Sequence, residues 1–277
     1  ADPFQNGLEG CRRPRYLRAM SDQPTVPSLV TSSGRCETCP IRHQAVCSYA
    51  SPEELAELEA LKYYRDFDIG REIVGEGEAT GFVGSVVTGV VALHKTLEDG
   101  RRQMVGLLFP SSFIGRPFRK CVNFEAVAVT PVRMCMFQRS KFEDFLCRSH
   151  ALERRLLEMT LDEVDASREW MLLLGRKTAK ERLASFLMIL ARRTSSLDKQ
   201  PLHQGSRIEL PVTREAMAEY LGLTIETVSR QMTALRKAGV IELVETRVVE
   251  ISDLDAFYHA AGEDPGPFDW PQQAQSA

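Results

Sequence analysis

The chain has 277 residues, 43% hydrophobic and 26% charged, with a formal net charge of −3. That is the composition of a globular protein of about two domains. It excludes a collagen-like or low-complexity chain, and no apolar run approaches the roughly 18 residues of a membrane span. The N-terminus lacks the apolar core of a signal peptide, so a cytoplasmic location is expected.

Residues 1–33 carry Pro14, Pro24 and Pro27 among polar residues without a sustained period, and a disordered leader is expected there. Met20-Ser-Asp reads as a natural start, with residues 1–19 an upstream extension that makes Cys11 a poor ligand. Residues 34–50 hold Cys36-Glu-Thr-Cys39 and, eight residues on, Cys47. Three thiols within twelve residues can clamp one metal centre, but zinc and iron–sulfur groups usually take four protein ligands. The fourth must come from elsewhere. With seven cysteines and no secretory signal, a disulfide framework is not expected.

Residues 51–147 form the next block. Ser51-Pro52-Glu53-Glu54 is a helix start, with a Ser cap, Pro at the first helical position and acids in the first turn. Strands are predicted over 67–73, 81–87, 90–97, 102–109 and 126–137, punctuated by Gly70, Gly75, Gly77, Gly89 and Gly100. Short strands with such turns predict a small all-β roll.

From Phe142 to about Leu174 the pattern is helical, and residues 148–175 form its long uninterrupted part. It has two apolar rows: Leu157, Leu161, Val164 and Met171 on one side; Leu152, Leu156, Met159, Ala166, Trp170 and Leu173 on the other. A helix apolar on two sides needs two partners, and the first row is assigned to the same helix of a second subunit in a homodimer. The alternative is a helix sandwiched within one chain.

Residues 176–255 contain a helix over 178–193, a strand over 208–210, two short helices and a hairpin of 241–244 with 247–251. Thr213 caps the first short helix and Gly222 supplies a turn. Thr224 caps the second, and Gly239 ends it. This is a helix-turn-helix with a wing. At 100° per residue, Ile225, Val228, Met232 and Leu235 form the anchoring side. Glu226, Arg230, Thr233 and Lys237 lie opposite, with Ser229 on the flank. Arg230 can pair bidentately with a guanine edge, and Glu226 can accept from a cytosine amino group. Each also has a plainer reading: Glu226 in the first turn complements the helix dipole, and Arg230 can pair with Glu226 four residues earlier. Charge is segregated, with nine acids and three bases over Glu53–Glu78 but fourteen bases and nine acids over Arg168–Arg247. The tail, 256–277, is Pro- and Gln-rich and expected to be flexible.

A β-roll, a long dimerisation helix and a C-terminal winged helix make an α+β architecture that resembles the CRP/FNR superfamily of bacterial transcription regulators. The segment Leu221-Gly-Leu-Thr-Ile-Glu-Thr-Val-Ser-Arg230 is similar to the FNR recognition helix, and Leu172–Ala184 also resembles FNR-type sequences. The resemblance implies that Glu226, Ser229 and Arg230 contact bases of a TTGAT-N4-ATCAA-like palindrome, with Thr224, Thr233 and Lys237 on the same DNA-binding face. It implies an oxygen-labile 4Fe–4S cluster on Cys36, Cys39, Cys47 and a roll cysteine, which maps to Cys135, with Cys121 the competitor. Cys147 is expected to pack a helix. The wide gap before Cys47 resembles the alphaproteobacterial FnrL/FnrN branch. The Glu98–Arg101 turn matches a region where relatives touch RNA polymerase. Cyclic nucleotide binding is not expected, because Phe109–Phe118 lacks the acid and the Arg-Ser or Arg-Thr pair of the nucleotide-binding members, and Arg116 alone does not replace them. A helix acid important in some relatives is replaced by Ser167.

Two rivals keep the regulator and change the chemistry: a structural zinc site using three Cys with His43 or a fourth Cys, and a Cys36–Cys39 thiol switch. An enzyme is not expected, since the five His form no His-x-His pair and no nucleotide loop or nucleophile motif is present.

Overall fold

The computed structural model describes residues 34–198 and 201–264. The expected leader, 1–33, with Cys11, lies outside the described residues, as do residues 265–277 of the expected tail. The chain divides into two units, Ala1–Leu161 and Asp162–Ala277.

In the first unit, helix α1 (Pro52–Leu61) starts on a capping box. The Glu54 amide donates to Ser51 Oγ (3.2 Å), and the Ser51 amide to Glu54 Oε2 (2.8 Å), so two helix-end donors are satisfied. Eight strands follow: β1 (Lys62–Phe67), β2 (Glu72–Val74), β3 (Phe82–Thr88), β4 (Val91–Thr96), β5 (Arg102–Leu108), β6 (Phe113–Ile114), β7 (Glu125–Ala128) and β8 (Val132–Gln138). They make two four-stranded antiparallel sheets, ordered β1-β8-β3-β6 and β2-β7-β4-β5. Both sheets feed one core that includes Phe67, Val91, Leu108, Met134 and Met136.

Two expected strands are each divided. The one over 67–73 breaks at Gly70, whose φ of 79° turns the chain between β1 and β2. The one over 126–137 breaks before Pro131, which has no amide to give a ladder. The helical stretch from Phe142 also breaks, into α2 (Arg139–Leu146) and α3 (His150–Arg176). Ser149 Oγ accepts from the Leu152 amide (3.3 Å) and so opens α3 afresh.

In the second unit, α4 (Ala179–Asp198), β9 (Arg207–Glu209), α5 (Arg214–Leu221), α6 (Ile225–Lys237), β10 (Ile241–Glu245) and β11 (Val248–Ile251) build the helix-turn-helix and its wing. The small sheet is ordered β10-β11-β9. One expectation is corrected here. Residues 254–261, most of them assigned to a loose tail, form helix α7 (Leu254–Ala261) with Phe257, Ala260 and Ala261 buried. Asp253 caps it by accepting from the Ala256 amide (2.9 Å), and Lys177 Nζ donates to the Ala261 carbonyl (2.8 Å). Among the described residues no helix is long and apolar enough to cross a membrane.

Candidate cysteine centre and nucleic-acid interface

Strand β8 alternates. Met134 and Met136 point into the roll core, so Cys135 faces the other side of the sheet. There it lies in register with Tyr64 of β1 and Ser85 of β3. Gly84 allows this closeness: a Cβ at that position would sit 2.5 Å from the Cys135 carbonyl oxygen. Residues 34–50 wind over this face in successive turns, with Ile41, Ala45 and Val46 buried. Arg42 holds the turns closed by donating to the carbonyls of Ser48 (2.7 Å) and Ala50 (3.2 Å).

The result is one enclosed cavity of about 20 Å³ lined by Cys36, Cys39, Cys47 and Cys135, with Ile41, Val46, Leu58 and Phe137 among its walls. All four thiols are free. Burial pushes the Cys47 thiol up to about 11 and raises Cys36 and Cys135 as well, because a thiolate is poorly solvated there. Lys62 opposes this at Cys36, where its Nζ donates to Sγ at 3.1 Å, and Glu59 accepts from the Cys36 amide (2.9 Å).

Cys121 lies at an isolated bridge to Ala79, away from the cavity. His43 is exposed and does not line it, so the zinc variant that used His43 loses its fourth ligand. Cys147 is exposed at the end of α2, not packed against a helix as expected. Among the described residues no three His, Cys, Asp or Glu side chains converge closely enough for a single metal ion. The donor set is nonetheless all thiol in an apolar wall, which is the chemistry of soft-metal and iron–sulfur sites. It fits an iron–sulfur group by donor type, while the space between the thiols as they stand is about one water's volume.

A link that sequence reasoning missed joins this segment to α3. Arg155 is buried, donates from Nη2 to the Gln44 carbonyl (2.8 Å) and stacks over Tyr49 with 5.6 Å to the ring centroid. Tyr49 in turn hydrogen-bonds Glu158 on α3, which raises the phenol pKa. Further along α3, Leu157 (59%), Leu161 (55%), Val164 and Met171 (65%) are exposed. The opposite row is covered by the chain itself: Leu152 is buried, Leu156 and Met159 pack against the cluster that includes Val46, Phe137, Phe142 and Phe145, and Trp170 stacks on Tyr220 at 3.9 Å.

In the second unit, Thr213 and Thr224 cap α5 and α6 by accepting from the amides of Ala216 and Thr227, both at 3.2 Å. Gly222, at φ 61°, makes the left-handed turn between them. Val228, Met232 and Leu235 are fully buried and seat α6. Ile225 departs from the expected anchoring side and is 44% exposed, because the first turn with Thr224 and Glu226 projects past the body beneath it. Ser229, Arg230, Thr233 and Lys237 border one open depression on the outer face. Arg230 Nη2 donates to Thr227 Oγ1 (3.3 Å), not to Glu226. Glu226 is held by its own backbone amide and by Thr224, which keep its carboxyl below the usual range. Arg182, also missed in the sequence, ties the module together by donating to the carbonyls of Leu221 (3.1 Å), Leu174 (2.7 Å) and Lys177 (3.0 Å).

Comparison with known proteins accounts for both units. The Crp-like helix-turn-helix domain matches residues 181–259, and the cyclic nucleotide-binding domain matches residues 64–149. The transcriptional activator protein FnrL of Cereibacter sphaeroides is 51% identical over 87% of this chain and 97% of its own length. The chain belongs to the CRP/FNR family of transcription regulators. Another family member, the nitrogen fixation regulation protein FixK of Bradyrhizobium diazoefficiens, is 36% identical over 80% of this chain and 92% of its own. Among solved CRP/FNR structures, FixK2 from Bradyrhizobium japonicum aligns with a TM-score of 0.65 and 30% identity over 74% of this chain and 98% of that one. A CooA mutant from Carboxydothermus hydrogenoformans shares the fold at TM-score 0.61 and 20% identity, over 74% of this chain and 90% of that one. As a CRP/FNR-type regulator the chain is a dimeric DNA-binding protein and not an enzyme.

Proposed function

We propose that this regulator responds to oxygen through a 4Fe–4S cluster held by Cys36, Cys39, Cys47 and Cys135. The observation that carries this reading is the gathering of four free thiols, from two distant segments, around one enclosed apolar cavity. When bound, such a cluster would supply an iron–sulfur core that oxygen can oxidise, held through the four cysteine thiolates. Everything downstream is done by the chain itself. The 34–50 turns lie between β8 and α3, and Arg155 and Tyr49 fasten them to α3. Ordering that segment favours the conformation in which α3 offers Leu157, Leu161, Val164 and Met171 to a second subunit, because a ligand shifts an equilibrium by its differential affinity. In the dimer, Glu226, Ser229 and Arg230 read bases of a TTGAT-N4-ATCAA-like palindrome, and Thr224, Thr233 and Lys237 contact flanking bases or phosphates. The Glu98–Arg101 tip between β4 and β5 is assigned to RNA polymerase. Cyclic nucleotide is not the signal: Arg116 is exposed, and no acid stands in the Phe109–Phe118 segment to meet a ribose.

The second reading is zinc on the same four thiols. A tetrahedral zinc with bonds of about 2.3 Å needs its sulfurs within about 3.8 Å of one another. The donor set alone does not separate zinc from an iron–sulfur group, so the two readings are separated by experiment. The test is anaerobic purification with iron and sulfide analysis and a visible spectrum before and after air. A broad band near roughly 400–420 nm that bleaches in air, lost in Cys135→Ser and kept in Cys121→Ser, is the expected result. A colourless protein with stoichiometric zinc would leave the DNA-binding regulator and remove the oxygen mechanism.

A further inference from the structure

Two hydroxyl-bearing residues line the cysteine cavity, Tyr64 and Ser85, and Ser85 is the aliphatic one. It is 3% exposed, and its Oγ has no hydrogen-bond partner, not even one of the four nearby sulfurs. Its neighbours on β3, Val83, Val86 and Val87, are buried and apolar. A buried hydroxyl without a partner destabilises a fold by about 1–3 kcal/mol. Alanine or valine would fill this strand position without that cost. The Ser85 backbone pairs directly with Cys135, and the bare Cα of Gly84 keeps β3 close against the Cys135 carbonyl, so the hydroxyl is fixed at the cavity floor. A hydroxyl held there is placed to donate to a group seated in the cavity.

We infer that Ser85 donates a hydrogen bond from Oγ to a sulfur of the seated cluster and thereby sets its reduction potential. This rests on the cluster reading above and adds a residue that is not a ligand. Hydrogen bonds to cluster sulfurs stabilise the more negative, reduced state, so they raise the potential. Ser85 is thus a positioning and tuning residue.

The experiment uses the full-length chain as wild type, Ser85→Ala and Ser85→Thr, each loaded anaerobically. Iron and sulfide per chain are measured first, then the midpoint potential, then the melting temperature of the cluster-free protein. Ser85→Ala is expected to load to wild-type stoichiometry and to melt no lower than wild type when cluster-free, since it removes an unsatisfied group. Its reduction equilibrium should fall about tenfold, or 59 mV for one electron. Ser85→Thr keeps the donor and should restore the potential. Loading lost in Ser85→Ala but kept in Ser85→Thr would also support the donor role. An unchanged potential in Ser85→Ala overturns it, as does loss of loading in both variants or a lower cluster-free melting temperature, each of which makes position 85 a packing site. If the wild type takes up no cluster, the underlying reading fails, and this inference with it.

Discussion

At the scale of single residues, the two chemistries of the chain differ in how they are encoded. Arg230 is exposed, and its guanidinium spends one donor on Thr227, leaving the rest of its fork to a base edge. Arg230→Ala is therefore expected to weaken binding to the palindrome by about 1–3 kcal/mol per half-site while changing random-sequence binding little. Fluorescence anisotropy on both duplexes measures this, and equal losses on the two would reduce Arg230 to a phosphate contact. Helix α6 and its exposed face were legible because 3.6-residue periodicity and the Thr224 cap are local signals. So was the thiol triplet, whose spacing is local too. Cys135 was placed by family resemblance, and its register against Ser85 and Tyr64 sets it on the cavity side of the sheet. Ser85, Arg155 and Arg182 were not legible. Their partners lie on other elements: Arg155, for example, meets the carbonyl of Gln44. Backbone carbonyls carry no sequence signature.

Elements were readable where their ends are chemically marked. The Ser51, Thr213 and Thr224 caps opened helices as expected, whereas α7 was missed because the Pro- and Gln-rich residues after it masked the Asp253 cap and the spacing of Leu254, Phe257 and Ala261. Helix α3 carries the element-scale prediction. Its outer row is exposed in the single chain, so a charge there costs the monomer's core little, yet it would be buried opposite its own copy in a dimer. Leu161→Glu is expected to leave the melting temperature of the monomer nearly unchanged. It should shift the protein to monomer at micromolar concentration in sedimentation, with at least a tenfold loss on the palindrome and little on an isolated half-site. A variant that stays dimeric would assign the interface to another face of α3. Ser167, whose Oγ donates back to the Glu163 carbonyl (2.8 Å), places no charge on this helix where some relatives carry an acid.

For the molecule as a whole, a net charge of −3 with the bases gathered over Arg168–Arg247 limits non-specific attraction to DNA. Affinity must then come from two reading helices acting together. Two half-sites about one helical turn apart face the same side of the duplex. Inserting about five base pairs turns the second half-site to the opposite face and makes binding effectively monovalent. The anaerobic, loaded protein is expected to prefer the natural spacing over the lengthened one by at least tenfold. After air, the preference should shrink towards unity through a fall in affinity for the natural site, since the dimer no longer holds both readers, while half-site binding stays constant. Gel-shift titrations of the two duplexes under nitrogen and after aeration separate the terms. A spacing preference that survives air would mean that the cysteine segment does not control the dimer, and that oxygen acts, if at all, on the reading helices themselves.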